Sequence, residues 1–194
     1  MKSNICKLTG KPGELKAVLD EVEKAAAYNG LEKRDTLRIR LLAEELVSML
    51  PQLLDHAEGT FQVVNEGSAY ELRVSLKSTS LIPVSREKLL GVSTTGKNAA
   101  ATGIMGRIRE AAEKLLTPAE SFVPSGLPED DIDTMTGDVW SLRHYVAEVY
   151  DRVEGEEKQE NRDELERSIV AKIADDVKVG IRGRHVDIVV SKTV

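Results

Sequence analysis

The chain has a single cysteine, Cys6, so no intramolecular disulfide can form and no cysteine-built zinc site is available. A reducing, cytoplasmic setting is the expectation. No apolar run is long enough to cross a bilayer, and Met1 to Cys6 lacks the hydrophobic region of a signal peptide, so membrane association is not expected. Basic residues are not in excess. The net charge of −6 and pI near 5.3 argue against nucleic acid as the main partner, because neutralising phosphates requires a basic face. At 194 residues the chain can bury roughly 70% of its unfolded surface, enough for one domain or one domain with a large insertion.

What the chain does have is a glycine-rich stretch, Gly91 to Arg109, with four glycines, four hydroxyls and Lys97 ahead of a predicted helix. Glycines admit close approach to backbone N–H groups, and the first turn of a helix presents unpaired donors at the positive end of its dipole. The stretch reads either as a phosphate site or as a flexible surface loop before an Ala-rich helix. Gly91 and Gly96-Lys97 match the start of a P-loop, but Asn98 follows the lysine and cannot supply the magnesium hydroxyl. The preceding Ser85 to Leu90 reads as an amphipathic turn rather than the buried strand a P-loop follows.

Taken in order, the chain predicts an edge strand at 4–8, a turn at Gly10-Lys-Pro-Gly13, and a helix on Leu15, Val18, Leu19, Val22 and Ala26 that stops at Gly30. A second helix is expected from an Asp35 cap towards Leu54 on Ile39, Leu42, Leu46, Leu50 and Leu53, ended or kinked by Pro51. Strict alternation predicts a hairpin: Phe61 and Val63, a turn at 65–68, then Tyr70, Leu72, Val74 and Leu76. A helix carrying Ile104, Ile108, Ala112 and Leu115 stops before Pro118. Residues 117–135 read as an acidic exposed connection, 138–153 as a helix bearing Trp140, Tyr145 and Tyr150, and 154–162 as a charged linker. The aromatic cluster suits either core packing or a partner surface. A short helix on Leu165, Ile169, Val170 and Ile173 precedes a closing hairpin, Val177 to Ile181 and Val186 to Val190.

On the second helix Glu44 and Ser48 stand four residues apart, on one face away from the leucine stripe. They are either part of the solvated side or a polar pair with a role.

Helix, hairpin, glycine-rich loop, helix and terminal hairpin, in this order, resemble the GHKL ATPases, the family of histidine-kinase catalytic domains, Hsp90-type ATPases and anti-sigma-factor serine kinases, and the anti-sigma branch is the nearest. Leu41 to Leu50 resembles the N-box helix, whose glutamate activates water or the acceptor hydroxyl and whose asparagine four residues on holds magnesium. Glu44 matches the glutamate, which the resemblance makes catalytic, and Ser48 replaces the asparagine. Ser93, Thr94, Thr95, Gly96, Lys97 and Asn98, followed by Gly103 and Gly106, resemble the ATP lid and second glycine box, with Lys97 placed to meet phosphate. Lys77 to Ile82 stands where the family has D-x-G-x-G, with a lysine and no glycine. The resemblance covers roughly residues 30–116 and 165–194.

It implies a single domain over 1–194: an α+β two-layer sandwich of the GHKL (Bergerat) kind, with an antiparallel or mixed sheet covered on one face by helices and a helical insertion at 117–164. ATP is the implied ligand; Ser48 takes away the magnesium ligand. The expected function is a nucleotide-binding protein with degenerate motifs, acting as a regulatory module for a protein partner, with homo-oligomerisation open. The alternatives are an active serine kinase or ATPase of the same branch, and a P-loop nucleotide hydrolase, which requires a parallel sheet.

Overall fold

The computed structural model describes residues 1–11, 13–54, 57–78, 103–116, 136–151, 156–182 and 185–194. Strand β1 (Cys6–Leu8) leads through a turn into helix α1 (Glu14–Tyr28). The turn needs glycine: Gly10 and Gly13 sit at φ 78° and 96°, where a side chain would be strained. Gly13 has no side chain to cap the helix, and Glu14 reaches back instead. Its carboxylate accepts from the Thr9 N–H at 2.9 Å, the Gly10 N–H at 3.0 Å and the Thr9 hydroxyl at 2.7 Å.

α1 buries Val18, Leu19, Val22, Ala25 and Ala26, and ends where expected. The Leu31 N–H bonds back to the Ala26 carbonyl and the Gly30 N–H to that of Ala27, with Gly30 at φ 67°, which is the Schellman pattern.

The second helix differs from expectation at its start, and ends ahead of Pro51 as expected. α2 (Lys33–Ser48) starts before Asp35, which pairs with Arg38 at 2.9 Å instead of capping. It stops at Ser48, and Pro51 opens a separate short helix, α3 (Pro51–Leu54), at the position where its missing N–H has no partner to lose. Ile39, Leu42, Ala43 and Leu46 form the buried face of α2.

Strands β2 (Ala57–Glu66) and β3 (Ala69–Ser78) form the predicted hairpin, in register from Ala57↔Ser78 to Glu66↔Ala69. Gly67 turns at φ 62°, and the Asn65 amide donates to the carbonyls of Gly67 and Ala69. Helix α4 (Ile104–Leu116) buries Ile104, Ile108 and Ala112 and packs across the sheet.

The segment beyond α4 departs from the sequence reading. Its first described part is a strand, β4 (Thr136–Ser141), followed by α5 (Leu142–Asp151), so Trp140 lies in the sheet opposite Val179 rather than on a helix. A carboxylate from the neighbouring strand marks the switch. Asp176 accepts from the Ser141 hydroxyl at 3.0 Å and from the Arg143 N–H, in the first turn of α5, at 3.1 Å. The expected charged linker is largely helical: α6 spans Glu156–Arg167. Ser168 breaks the chain there and caps α7 (Ile169–Ile173) through the Ala171 N–H. The closing hairpin is β5 (Asp176–Arg182) and β6 (His185–Thr193).

The six described strands make one open sheet, ordered β1-β2-β3-β6-β5-β4, antiparallel at every pairing. The architecture is therefore α+β. The parallel sheet that a P-loop hydrolase requires is not what these strands form. Phe61, Val63, Leu72, Val74, Leu76, Val177, Val179 and Ile188 meet the helices in a single core. β4 and α5 show that the stretch read as a helical insertion also supplies an edge strand.

Candidate functional site

The buried face of α2 turns its opposite side outward, and Glu44 stands there, exposed. Among the described residues Glu44 makes no hydrogen bond or ion pair. Ser48 is also exposed, but its hydroxyl is engaged: it donates to the Glu45 carbonyl at 2.7 Å, three residues back on the same helix. The helix thus offers a free carboxylate next to a hydroxyl that already bonds its own backbone.

Gly103, at φ 93°, leads into α4, and its carbonyl accepts from the Arg107 N–H at 3.1 Å. The first-turn donors of α4 follow it. Gly106 lies inside α4 and is buried. Ser93, Thr94, Thr95, Gly96, Lys97 and Asn98 lie outside the described residues, and with them the Glu44 to Lys97 separation. α3, which follows α2, packs against α4.

Arg107 ties α4 to the segment that follows. Its guanidinium lies 4.7 Å from the centre of the Tyr145 ring, donates to Asn161 Oδ1 at 2.9 Å, and its Nε is 3.4 Å from Glu164 Oε1. Tyr145 in turn stands 6.2 Å from Trp140. The aromatic cluster is therefore joined to the core helix, with Arg107 as the link.

Lys77 stands on the face to which the alternation of β3 assigns it. Leu76 is buried on the helix side, so Lys77, exposed and opposite Glu58, belongs to the other face of the sheet.

Sequence reading passed over Asp187. It lies on that same second face and is only 1% exposed, and the Ser75 hydroxyl donates to its carboxylate at 2.6 Å. The signal was one aspartate inside the apolar run Val186 to Val190. Among the described residues no group of three or more His, Cys, Asp or Glu could hold a metal ion, and no helix is long and apolar enough to cross a membrane.

The charges on the outward side of α2 are unusual. Lys33 and Arg34 occupy its first turn, and Glu44 and Glu45 lie near its last. Lys33 and Arg34 oppose the helix dipole in a first turn that also carries Asp35, and Glu45 opposes it in the last turn.

No family model matches the sequence, and no curated protein matches it.

Proposed function

We propose that the chain is a GHKL-type nucleotide-binding domain with degenerate motifs, working as a regulatory protein-binding module with little or no phosphoryl transfer. The order of elements supports the family reading: an edge strand, two helices, a hairpin, a glycine-led helix and a closing hairpin on one antiparallel sheet. The observation that carries the degenerate half is the pair on α2, a Glu44 carboxylate with no partner among the described residues beside a Ser48 whose hydroxyl bonds the Glu45 carbonyl.

Phosphoryl transfer depends on metal and electrostatic positioning more than on covalent help from the protein. A glutamate without a metal-holding neighbour supplies one part of that machinery. Ser48 has a shorter reach than asparagine and no carbonyl oxygen to offer a hard cation.

The Glu44 carboxylate also favours a second reading, an active serine kinase or ATPase of the same branch. Calorimetric titration with ATP and ADP, with and without magnesium, together with a turnover assay, separates the two.

A further inference from the structure

The outward stripe of α2 has an internal symmetry. Its midpoint along the helix axis is level with Ile39, which itself faces the core: Leu37 and Leu41 lie two residues to either side, and beyond them come Lys33 and Arg34 on one side and Glu44 and Glu45 on the other. Leu37 is 54% exposed and Leu41 half-buried, on the side of the helix away from Ile39, Leu42, Ala43 and Leu46. Within the chain the nearby charges on the flanks are matched, Asp35 with Arg38 and Arg40 with Glu23. Lys33, Arg34, Glu44 and Glu45 have no such ion pair among the described residues.

We propose that this stripe is the contact surface for a second copy of the chain, with the two α2 helices packed antiparallel about a twofold axis level with Ile39. The inference rests on the protein-binding half of the reading above and not on its nucleotide half. An antiparallel pair sets Lys33 and Arg34 of one copy against Glu44 and Glu45 of the second copy, twice over, and Leu37 against Leu41 between them. That is what an isologous contact requires, since one surface must complement itself.

The dipoles make the same choice. Basic residues at the start of α2 and acidic residues at its end oppose their own helix, but in the antiparallel pair each set lies beside the favourable end of the other helix. The arrangement that is unfavourable in one chain becomes favourable in two. α2, at 16 residues, is about 24 Å long. A Glu44 carboxylate paired with the second copy is also withdrawn from phosphate chemistry.

The test is sedimentation velocity on the full chain with two charge-reversed forms. One carries Lys33→Glu with Arg34→Glu; the other carries Glu44→Lys with Glu45→Arg. Both reversals agree with the helix dipole, so each variant keeps the circular dichroism spectrum and melting temperature of the parent or improves on them. The parent sediments as a dimer at low salt. Each variant alone is a monomer, its self-association weakened at least about tenfold, and an equimolar mixture of the two forms a heterodimer. A parent that is monomeric at every concentration up to its solubility limit overturns the proposal and leaves the stripe to another protein's helix or to solvent. A dimer that survives both reversals, or a mixture that stays monomeric, overturns it as well. No arm contains nucleotide, so a failed ATP titration and a failed dimer assay are separate results.

Discussion

The Ser48 hydroxyl donates to the Glu45 carbonyl at 2.7 Å, and this places the one candidate metal-binding hydroxyl of α2 against its own backbone. Substituting Ser48→Asn lengthens the side chain and adds a carbonyl oxygen at an exposed site. ATP binding by this variant is expected to become magnesium-dependent, with a melting temperature within a few degrees of the parent. Calorimetry in matched buffers with and without magnesium checks it. An unchanged magnesium response would place the metal-deficient position elsewhere in the chain.

On the proposed reading, Lys97 is the residue of the glycine-rich stretch that meets phosphate. Lys97→Ala should weaken binding of a phosphate-bearing ligand by about 1–3 kcal/mol, the range for a lost charge-assisted hydrogen bond, while stability stays nearly constant. Parallel titrations and melts of mutant and parent decide it, and equal affinities would make the stretch purely structural.

Arg107 joins α4 to α5 and α6 through Tyr145, Asn161 and Glu164. Arg107→Ala is expected to lower unfolding free energy by about 1–3 kcal/mol, since it leaves the Glu164 carboxylate without its cation. Arg107→Lys should recover only part of this, because an ammonium cannot stack flat on the ring while donating to Asn161. Urea unfolding of the three proteins measures both. Equal stability of the alanine variant would show that the aromatic cluster holds its place without the arginine.

Acid stability follows from three carboxylates. The Lys24 ammonium, at 2.7 Å, and Asn4 hold Glu21 below the usual carboxylate range against the opposing effect of burial. Burial alone would raise Glu14 and Asp175, but hydrogen bonds from Thr9 and Gly10, and from Lys192 and Thr193, outweigh it and lower both. A depressed folded value means the contribution is fully present above the unfolded pKa, roughly 4 for these groups, and is lost as pH falls through the folded values. The urea midpoint should hold from neutral pH down to about 5 and fall below 4. Glu21→Gln should be less stable at pH 7 by about 1–2 kcal/mol and show a smaller acid loss. A mutant with the full acid loss of the parent would remove Glu21 from this account.

Much of the fold was legible because its central elements obey one period each. Phe61 to Val63 and Tyr70 to Leu76 alternate strictly, and both strands pair over ten residues. β4 was not legible: Trp140 and the residues after it continue a helical apolar pattern, and only Asp176, far along the chain, ends the strand and caps α5. α6 was missed because its sequence is almost wholly charged and polar, and among 161–167 only Leu165 is buried.

At the site, sequence placed Glu44 correctly on the outward side of α2, since helical spacing alone fixes that. The face on which Lys77 lies follows from the alternation that turns Tyr70, Leu72, Val74 and Leu76 inward, whereas residue order along the chain does not carry the pairing of β3 with β6.

The most direct measurement is titration of the chain with ATP, with and without magnesium, alongside a turnover assay. The account predicts measurable ATP binding whose affinity magnesium leaves unchanged, with no detectable hydrolysis or phosphoryl transfer. Absence of any binding would contradict the nucleotide half. Binding tightened about tenfold by magnesium, with turnover of about 1 per second or faster as in active kinases, would contradict the degenerate reading and restore the enzyme.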